Sequence, residues 1–358
     1  MEIFDNDSFI TYPQVSVAVI TYNHEKYISE CLDNIINQSV DFPIEIIVAD
    51  DASTDRTREI CITYQKKYPK IIKLIFNEKN LGLVKNYLNV LSHCRGRYIA
   101  QIAGDDYWCD VNKLSTQKSY LDDNKEIGLV YTNTYRLYNR VFQKDFISYD
   151  VKSFEDHLRH PGYLAPNTWM YRSEYSPLKF LGDENAHFVD ESYAYLLDMF
   201  KVSKIAYIPQ YMAVYRAHSG SLSFYNSYQQ NYVFRKGIFE IKKDYIRKYD
   251  VTDENIIHEI YKNGYLQLIE GAMILEDEQL LDEIKIYIDS HKLMFKDIEI
   301  LVKQTIKYRE QFNNIKNSKS YKVGKFFIKP ITLLKNIIRK YVTKTFCYHS
   351  HLQGTSVV

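Results

Sequence analysis

The stretch IEIIVADDASTD, from Ile44 to Asp55, sets an apolar run against two adjacent aspartates and a small polar turn that ends in a third. Bringing paired negative charges to the end of a buried run is unfavourable unless something there uses them. The pattern recurs at YIAQIAGDDYW, Tyr98 to Trp108, where a second apolar run ends on Asp105 and Asp106. One Asp-Asp pair is most simply a solvated turn, because Asp suits turn positions. Two pairs, each closing a strand-like run, predict a site.

The flanking segments alternate strand and helix. VSVAVIT (Val15 to Thr21) is a β-branched run of the kind covered on both faces. Ile28, Cys31, Leu32, Ile35 and Ile36 fall at helical spacing and predict a helix over about 26–38 with one apolar face. Ile44 to Ala49 is the second strand. A helix is expected over about 54–68, with Asp55 in its first turn, where the helix dipole favours an acid. IIKLIF (Ile71 to Phe76) is a third strand. The Asn80-Leu81-Gly82 turn leads into a helix near 84–92, and Tyr98 to Ala103 is a fourth strand. This rhythm predicts an α/β fold with a parallel, doubly wound stretch of sheet. Such sheets bind ligands at the carboxyl ends of their strands, where both aspartate pairs and Thr21-Tyr22-Asn23 lie. Further on, GLVYTNTYRLY and IAYIPQYMAVYR read as strands around a helix over about 190–200. From 225 to about 307 the pattern is helical.

The bulk properties narrow the classes. Of 358 residues 46% are hydrophobic, enough for a sizeable core, and a formal net charge of +1 gives no case for a nucleic-acid partner. Cys31, Cys61, Cys94, Cys109 and Cys347 are scattered without metal-ligand spacing, so they read as reduced thiols of a cytoplasmic protein. Neither a secretory signal nor a membrane-spanning run is expected. The first strand is followed by TYNHE and not by G-x-G-x-x-G, which excludes a dinucleotide-dependent oxidoreductase, and no Walker A loop is present. Close carboxylates repel, and a divalent cation relieves them. Oxygen ligands suit Mg²⁺ or Mn²⁺ shared with a substrate diphosphate. Asp105 and Asp106 therefore predict a metal–diphosphate site, with Asp106 a surface carboxylate at a strand end.

VSVAVITYNHEKYISECLDNIINQ, IEIIVADDASTDRT, NEKNLGLVKN and GRYIAQIAGDDYW, in that order and spacing, resemble the family 2 glycosyltransferases over about residues 13–110. VDESYAYLL and YRAHSGSLS resemble the acceptor-side motifs of the same family. The resemblance implies a GT-A fold, an α/β nucleotide-sugar-binding domain with a mixed sheet, here followed by a helical C-terminal region. It implies inverting transfer from a nucleotide-sugar, a UDP-sugar by expectation, to a hydroxyl of a glycan or lipid-linked acceptor. Mn²⁺ or Mg²⁺ is the implied cofactor, and bacterial capsule, O-antigen or other surface polysaccharide synthesis the implied setting. The expected domains are a catalytic domain over 1–224, a helical region over 225–310 and a basic amphipathic segment over 311–358. The catalytic domain divides into a nucleotide half, about 13–110, and an acceptor half, about 111–224.

Residue roles follow from the same resemblance. Thr21, Tyr22 and Asn23 line the nucleotide pocket, with Tyr22 against the uracil face. Asp51 accepts a hydrogen bond from the base, Asp50 and Asp55 shape the loop, and Lys85 approaches the nucleotide. Asp105 contacts the ribose or donor sugar, and Asp106 ligates the metal. The general base belongs to an acidic pair opening a helix, here Asp190-Glu191. The family order is Glu then Asp and is reversed in this chain, so Glu191 is taken as the base with Asp190 as the alternate. Arg216 and His218 match a loop near the diphosphate. A different class keeps the fold without the chemistry: a non-catalytic nucleotide-sugar binder or scaffold of a polysaccharide assembly complex. It would lack the base or the metal carboxylate.

After Glu310 the chain has no acid. Beyond Pro330, Ile331, Leu334, Ile337, Ile338, Tyr341 and Val342 share one helical face, with Lys335, Arg339 and Lys340 off its edge and back. Such a basic amphipathic run is expected to lie on an anionic membrane, which gives a peripheral place on the cytoplasmic face of the inner membrane. The alternative is packing against its own domain or against a second copy in a homodimer.

Overall fold

The computed structural model describes residues 1–4, 9–144, 152–159, 164–181, 188–218 and 227–290. The basic segment expected at the membrane and Cys347 lie outside the described residues. The described residues divide into two units, one of residues 1–218 with Ile241–Tyr245, the other Ser227–Glu240 with residues 246–290.

The first unit is built on one mixed sheet. Its strands are β1 (Glu2–Phe4), β2 (Val15–Thr21), β3 (Ile44–Asp50), β4 (Ile72–Phe76), β5 (Tyr98–Ala103), β6 (Tyr107–Trp108), β7 (Ile127–Tyr138), β8 (Val141–Gln143), β9 (Met170–Arg172) and β10 (Lys204–Ala217). They lie in the order β1-β4-β3-β2-β5-β9-β7-β10-β6, with β8 paired to β7. β2 runs parallel to β3 and β5, and β3 parallel to β4. β9 enters antiparallel to both β5 and β7, and β10 runs parallel to β7. The two reversals at β9 cancel. The carboxyl ends of β2, β3, β4, β5 and β10 therefore come to one edge of the sheet.

Every residue of β3 is buried, as is all of β2 except Ile20, as apolar runs covered on both faces require. The helices are α1 (Ile28–Ile36), α2 (Thr57–Lys67), α3 (Leu83–Ser92), α4 (Lys113–Asp123), α5 (Phe154–Arg159) and α6 (Glu191–Val202). α1 buries Ile28, Cys31, Leu32 and Ile35 against a core that includes Val17, Val19, Ile46, Val48, Leu74, Trp108 and Leu114. Each such aliphatic side chain contributes roughly 1.5–3 kcal/mol when fully buried.

Two buried charges organise the sheet. Glu45, near the amino end of β3, accepts from Ser16 Oγ at 2.5 Å and from Arg95 Nη2 at 2.7 Å. It staples the strand ends opposite the site. Arg172 holds the three-residue β9 in place, donating to the carbonyls of Ile127 at 2.9 Å, Leu121 at 2.5 Å and Asn124 at 3.1 Å.

The second unit is helical, with α7 (Tyr228–Lys248), α8 (Glu254–Ile274) and α9 (Glu278–Ser290). One turn of α7, Ile241–Tyr245, groups with the first unit. Asp253 caps α8 by accepting from the backbone N–H of Asn255 at 2.9 Å. Tyr261 stacks on Tyr287 at 5.1 Å, and Phe239 meets Tyr265 edge-on at 5.2 Å. No helix among the described residues is long and apolar enough to cross a membrane.

Candidate active site

The loops after β2 and β3 are laced together. Thr21 is buried; its carbonyl accepts from the N–H of Asp51 at 2.9 Å, while its Oγ1 has no hydrogen-bond partner among the described residues. Tyr22 is 43% exposed. Asn23 has φ 56°, a left-handed conformation that Asn tolerates. Its Oδ1 accepts from Thr54 N at 2.8 Å and its N–H donates to Ser53 Oγ at 2.9 Å. Asn23 thus spends its polar groups on the neighbouring loop. His24 N donates to Thr57 Oγ1 at 2.8 Å, and Glu25 N to Asp55 Oδ2 at 3.0 Å. Asp55 precedes α2, which begins at Thr57, and takes the Thr57 N–H at 2.9 Å and its Oγ1–H at 2.5 Å. Burial alone would raise its pKa, but the bonds from Thr57 and Glu25 outweigh it and hold the carboxyl below the usual range.

Asp50 and Asp51 turn to different partners. Asp50 is 0% exposed and accepts from Arg58 Nε at 2.5 Å and Ser53 N at 3.0 Å. Asp51 Oδ1 accepts from Asn77 Nδ2 at 3.0 Å and Leu81 N at 2.8 Å, and its Oδ2 from Gly82 N at 2.9 Å. Ala52, just after the pair, has φ 63°. This left-handed geometry costs a non-glycine residue about 1–2 kcal/mol, and the surrounding bonds hold it. Gly82 has φ 85°, so the turn bound by Asp51 needs a residue without a Cβ. One bond to Oδ2 leaves that oxygen able to accept another donor. Lys85 is exposed in the first turn of α3.

Asp105 and Asp106 follow β5. A Cβ on Gly104 would lie 2.9 Å from Thr21 Oγ1 and 2.8 Å from Ile28 Cδ1, so glycine lets the end of β5 close beneath Thr21. Asp106 Oδ1 accepts from the N–H of Arg216 at 2.9 Å, and Oδ2 from Asn167 Nδ2 at 2.9 Å. Arg216 Nε donates to the carbonyl of Asp105 at 2.9 Å, and its Nη2 to Glu30 Oε2 at 2.6 Å. The guanidinium lies 4.7 Å from the Tyr107 ring and 5.2 Å from Tyr27. His218 stacks on Tyr27 at 5.0 Å and places Nε2 3.1 Å from Asp105 Oδ2; His24 Nε2 lies 3.7 Å from the same oxygen. The end of β10 thus closes on the aspartate pair.

This closure corrects the expectation of a surface carboxylate at a strand end. Asp106 is only 5% exposed. Burial, with Asp105 alongside, pushes its carboxyl well above the ordinary range. Burial also raises Asp105, but the His218 bond and the charges of His24 and His218 outweigh it and leave the carboxyl lowered. Burial lowers His24 despite Asp105. Among the described residues no group of three or more His, Cys, Asp or Glu side chains is placed to hold a metal by itself. A buried, mutually repelling carboxylate pair nevertheless fits a hard cation that draws its remaining oxygens from a diphosphate and water.

The acidic pair at α6 divides its work. Asp190 is the N-cap, accepting from Tyr193 N at 3.0 Å and Ser192 Oγ at 2.6 Å. Glu191 begins the helix, and burial together with the Asp190 charge pushes its pKa up to about 7. Its charge reaches Tyr87 on α3, whose hydroxyl donates to Gln101 of β5. Thr21, Asp51, Asp105, Asp106, Arg216 and His218 belong to one bonded set of loops, whereas Glu191 begins α6 outside that set. Sequence reasoning missed His24, Arg58, Asn77 and Asn167. The first three lie inside or beside the motif stretches, so a signal was present. Asn167 follows a proline in a short turn and carries none.

A mixed sheet whose strand ends converge on a buried aspartate pair is the GT-A architecture. Residues 16–199, more than half of the chain, match the family model Glycosyl transferase family 2, and the chain belongs to that family. S. aureus TarS 1–349 in complex with UDP-GlcNAc aligns with a TM-score of 0.59 at 19% identity, covering 88% of this chain and 93% of that one. The mannosyltransferase PcManGT from Pyrobaculum calidifontis, in complex with GDP-Man and Mn²⁺, aligns with a TM-score of 0.50 at 19% identity over 84% of each chain. At these identities the likeness is one of fold. An uncharacterised protein of Mycobacterium tuberculosis is 35% identical over 208 residues, 57% of this chain and 59% of its own length. The match therefore spans less than two thirds of that relative.

Proposed function

We propose that the chain is an inverting glycosyltransferase that moves a sugar from a nucleotide-sugar, of the UDP type, to a hydroxyl of a glycan or lipid-linked acceptor in bacterial surface polysaccharide synthesis. The observation that carries this reading is the closure of Arg216 and His218 on Asp105 and Asp106. One edge of the sheet then offers carboxylates for a cation beside basic groups for a diphosphate. The UDP-GlcNAc and GDP-Man in the two structural neighbours agree with a nucleotide-sugar donor, and the Mn²⁺ in the second agrees with a cation at Asp106.

In this reading the exposed Tyr22 ring takes a face of the base, and Asp51 Oδ2 accepts from its edge. Thr21 Oγ1 and Asp105 face the ribose or sugar, and Lys85 adds a charge near the phosphates. Asp50, Asn23 and Asp55 hold the loops that present these groups. A bound Mn²⁺ or Mg²⁺ supplies charge neutralisation of the leaving diphosphate. Arg216 and His218 assist from the end of β10. Glu191, with a pKa near working pH, removes the acceptor hydroxyl proton as that oxygen attacks the anomeric carbon from the face opposite the diphosphate. One displacement inverts the anomeric centre without a covalent enzyme intermediate.

The test is a panel of UDP-, GDP- and dTDP-sugars with Mn²⁺, scored for nucleotide release with and without acceptor glycans. Tight donor binding with no turnover on any acceptor would favour the scaffold reading instead. The membrane site proposed for residues 316–346 rests on sequence alone. It predicts that the full chain, and not a truncation after Glu310, sediments with anionic vesicles at low salt.

A further inference from the structure

Behind Asp106 lies a buried polar chain that the reading above leaves without a role. The turn Pro166–Thr168 carries Asn167, which is 4% exposed. Its Nδ2 donates to Asp106 Oδ2 at 2.9 Å, and its backbone carbonyl accepts from Trp108 Nε1 at 2.8 Å. The Trp108 ring carries Lys113 Nζ 4.2 Å from its centroid. Lys113 donates to Gln117 Oε1 at 2.7 Å, and Gln117 Nε2 donates to the carbonyl of Thr168 at 2.7 Å. The path thus leaves Asn167 through its carbonyl and returns to its chain neighbour. Trp108, Lys113, Gln117, Asn167 and Thr168 are all buried.

One atom is left over. Asn167 Oδ1 is buried without a hydrogen-bond partner among the described residues. Such groups are rare and call for a reason. Here the reason lies at the other end of the carboxamide. Asn offers the carboxylate an N–H without adding charge. A lysine or arginine would neutralise Asp106 and compete with a cation, and an apolar residue would donate nothing. With Arg216 N on Oδ1 and Asn167 Nδ2 on Oδ2, Asp106 is fixed by one bond on each oxygen, from two different elements.

We infer that Asn167 is a positioning residue of the transferase site. It sets the plane of the Asp106 carboxylate for the donor diphosphate and its cation and acts only through Asp106. Trp108, Lys113 and Gln117 hold the turn that carries it. The inference rests on the donor-side reading of Asp106. Groups that orient metal ligands typically cost about 10- to 100-fold in affinity when removed.

The experiment uses the full chain and three variants: Asn167→Leu, which keeps the bulk; Asn167→Ser, which keeps a donor; and Trp108→Phe, which removes the indole N–H together with part of the ring. UDP binding, or GDP binding if the wild type prefers it, is measured calorimetrically over a Mn²⁺ series, beside steady-state kinetics and melting temperature. Asn167→Leu strands Asp106 Oδ2 but also removes the unpartnered Asn167 Oδ1, so it should stay folded with a modest change in melting temperature, need about 10- to 100-fold more Mn²⁺ for nucleotide binding, and leave the acceptor KM unchanged. Asn167→Ser should recover part of the loss, and Trp108→Phe should show a smaller shift in the same direction. Wild-type nucleotide binding by a folded Asn167→Leu would overturn the inference, as would equal losses in donor and acceptor parameters. Unfolding of both Asn167 variants with a fully wild-type Trp108→Phe would do the same. Should wild-type binding ignore Mn²⁺, the cation reading fails and Asn167 is judged on the nucleotide dissociation constant alone. A wild type that binds no nucleotide overturns the transferase reading, and this inference with it.

Discussion

Asp190 accepts the backbone N–H of Tyr193 at 3.0 Å, so of two adjacent acids Asp190 is the helix cap, and the proposed base is Glu191. The two should separate by experiment. Asp190→Ala should lose about 0.5–2 kcal/mol of stability, the usual value of an N-cap, and retain most turnover. Glu191→Gln should stay folded and keep its donor affinity while turnover falls about 10²- to 10⁴-fold, as removal of a general base does. Denaturant titration and single-turnover sugar transfer read the two effects. Full activity in Glu191→Gln with a dead Asp190→Asn would exchange the roles.

The raised Glu191 pKa predicts a pH dependence. The group must be ionised to act as base, so turnover should rise with pH to a plateau, with a midpoint near 7 set by burial and Asp190. The stability effect has the opposite sense. Between the ordinary value of 4.5 and about 7 the folded protein holds a proton that the unfolded chain releases, so this group's contribution to stability falls as pH rises through that window. Glu191→Gln should lack the acid limb and gain stability relative to the wild type between pH 5 and 8. A wild-type acid limb in the variant would assign the titration to another group.

What the sequence made legible follows from the length and purity of each signal. β2, β3, β4 and β5 are apolar runs and were readable, as were α1 from its helical period and the long β7 and β10. β9 was not, because three residues cannot show alternation and Arg172, not local propensity, holds it in place. α4 was hidden because it buries Lys113 and Gln117 beside Leu114 and Leu121, which masks the apolar period. The paired aspartates were visible as a site, but their division of labour was not. Asp50 faces Arg58 and Asp51 faces the Gly82 turn because of backbone geometry, and that is written in no side-chain pattern. The burial of Asp106 depends on the return of β10 from more than a hundred residues away.

That burial decides how Asp106 should be tested. Asp106→Ala would strand the Arg216 N–H and Asn167 Nδ2 at about 1–3 kcal/mol each, so loss of activity would be confounded with loss of fold. Asp106→Asn is the cleaner change. Its Oδ1 still accepts from Arg216, and the Asn167 carboxamide can rotate to turn its unpartnered Oδ1 toward the new NH₂. The variant should melt near the wild type and lose about 10²-fold or more in turnover, the scale of one preorganised electrostatic contact. EDTA should likewise abolish wild-type turnover, and Mn²⁺ or Mg²⁺ should restore it. Full activity in EDTA would remove the cation from the mechanism.

Lys113 gives the last test, of the core behind the site. It is completely buried, over the Trp108 ring and bonded to Gln117, and burial pushes its pKa down to about 7. The unfolded chain keeps that proton up to the ordinary value of 10.5. Between about pH 7 and 10.5 the unfolded state therefore binds more protons, and this group's contribution to stability rises with pH. Below 7 the folded protein must bury the charge, and the penalty is at its largest. Lys113→Met keeps the stem length and a soft contact to the indole while deleting the titration. It also leaves Gln117 Oε1 without its donor, so the absolute stability change can have either sign. The pH dependence has only one. Relative to Lys113→Met, the wild type should gain about 1–3 kcal/mol as pH rises from 7 to 9. Buried tyrosines and cysteines titrate above that range in both proteins and cancel in the difference. Urea midpoints at the two pH values measure it, and a difference that stays flat would mean that Lys113 keeps its ordinary pKa in the folded protein.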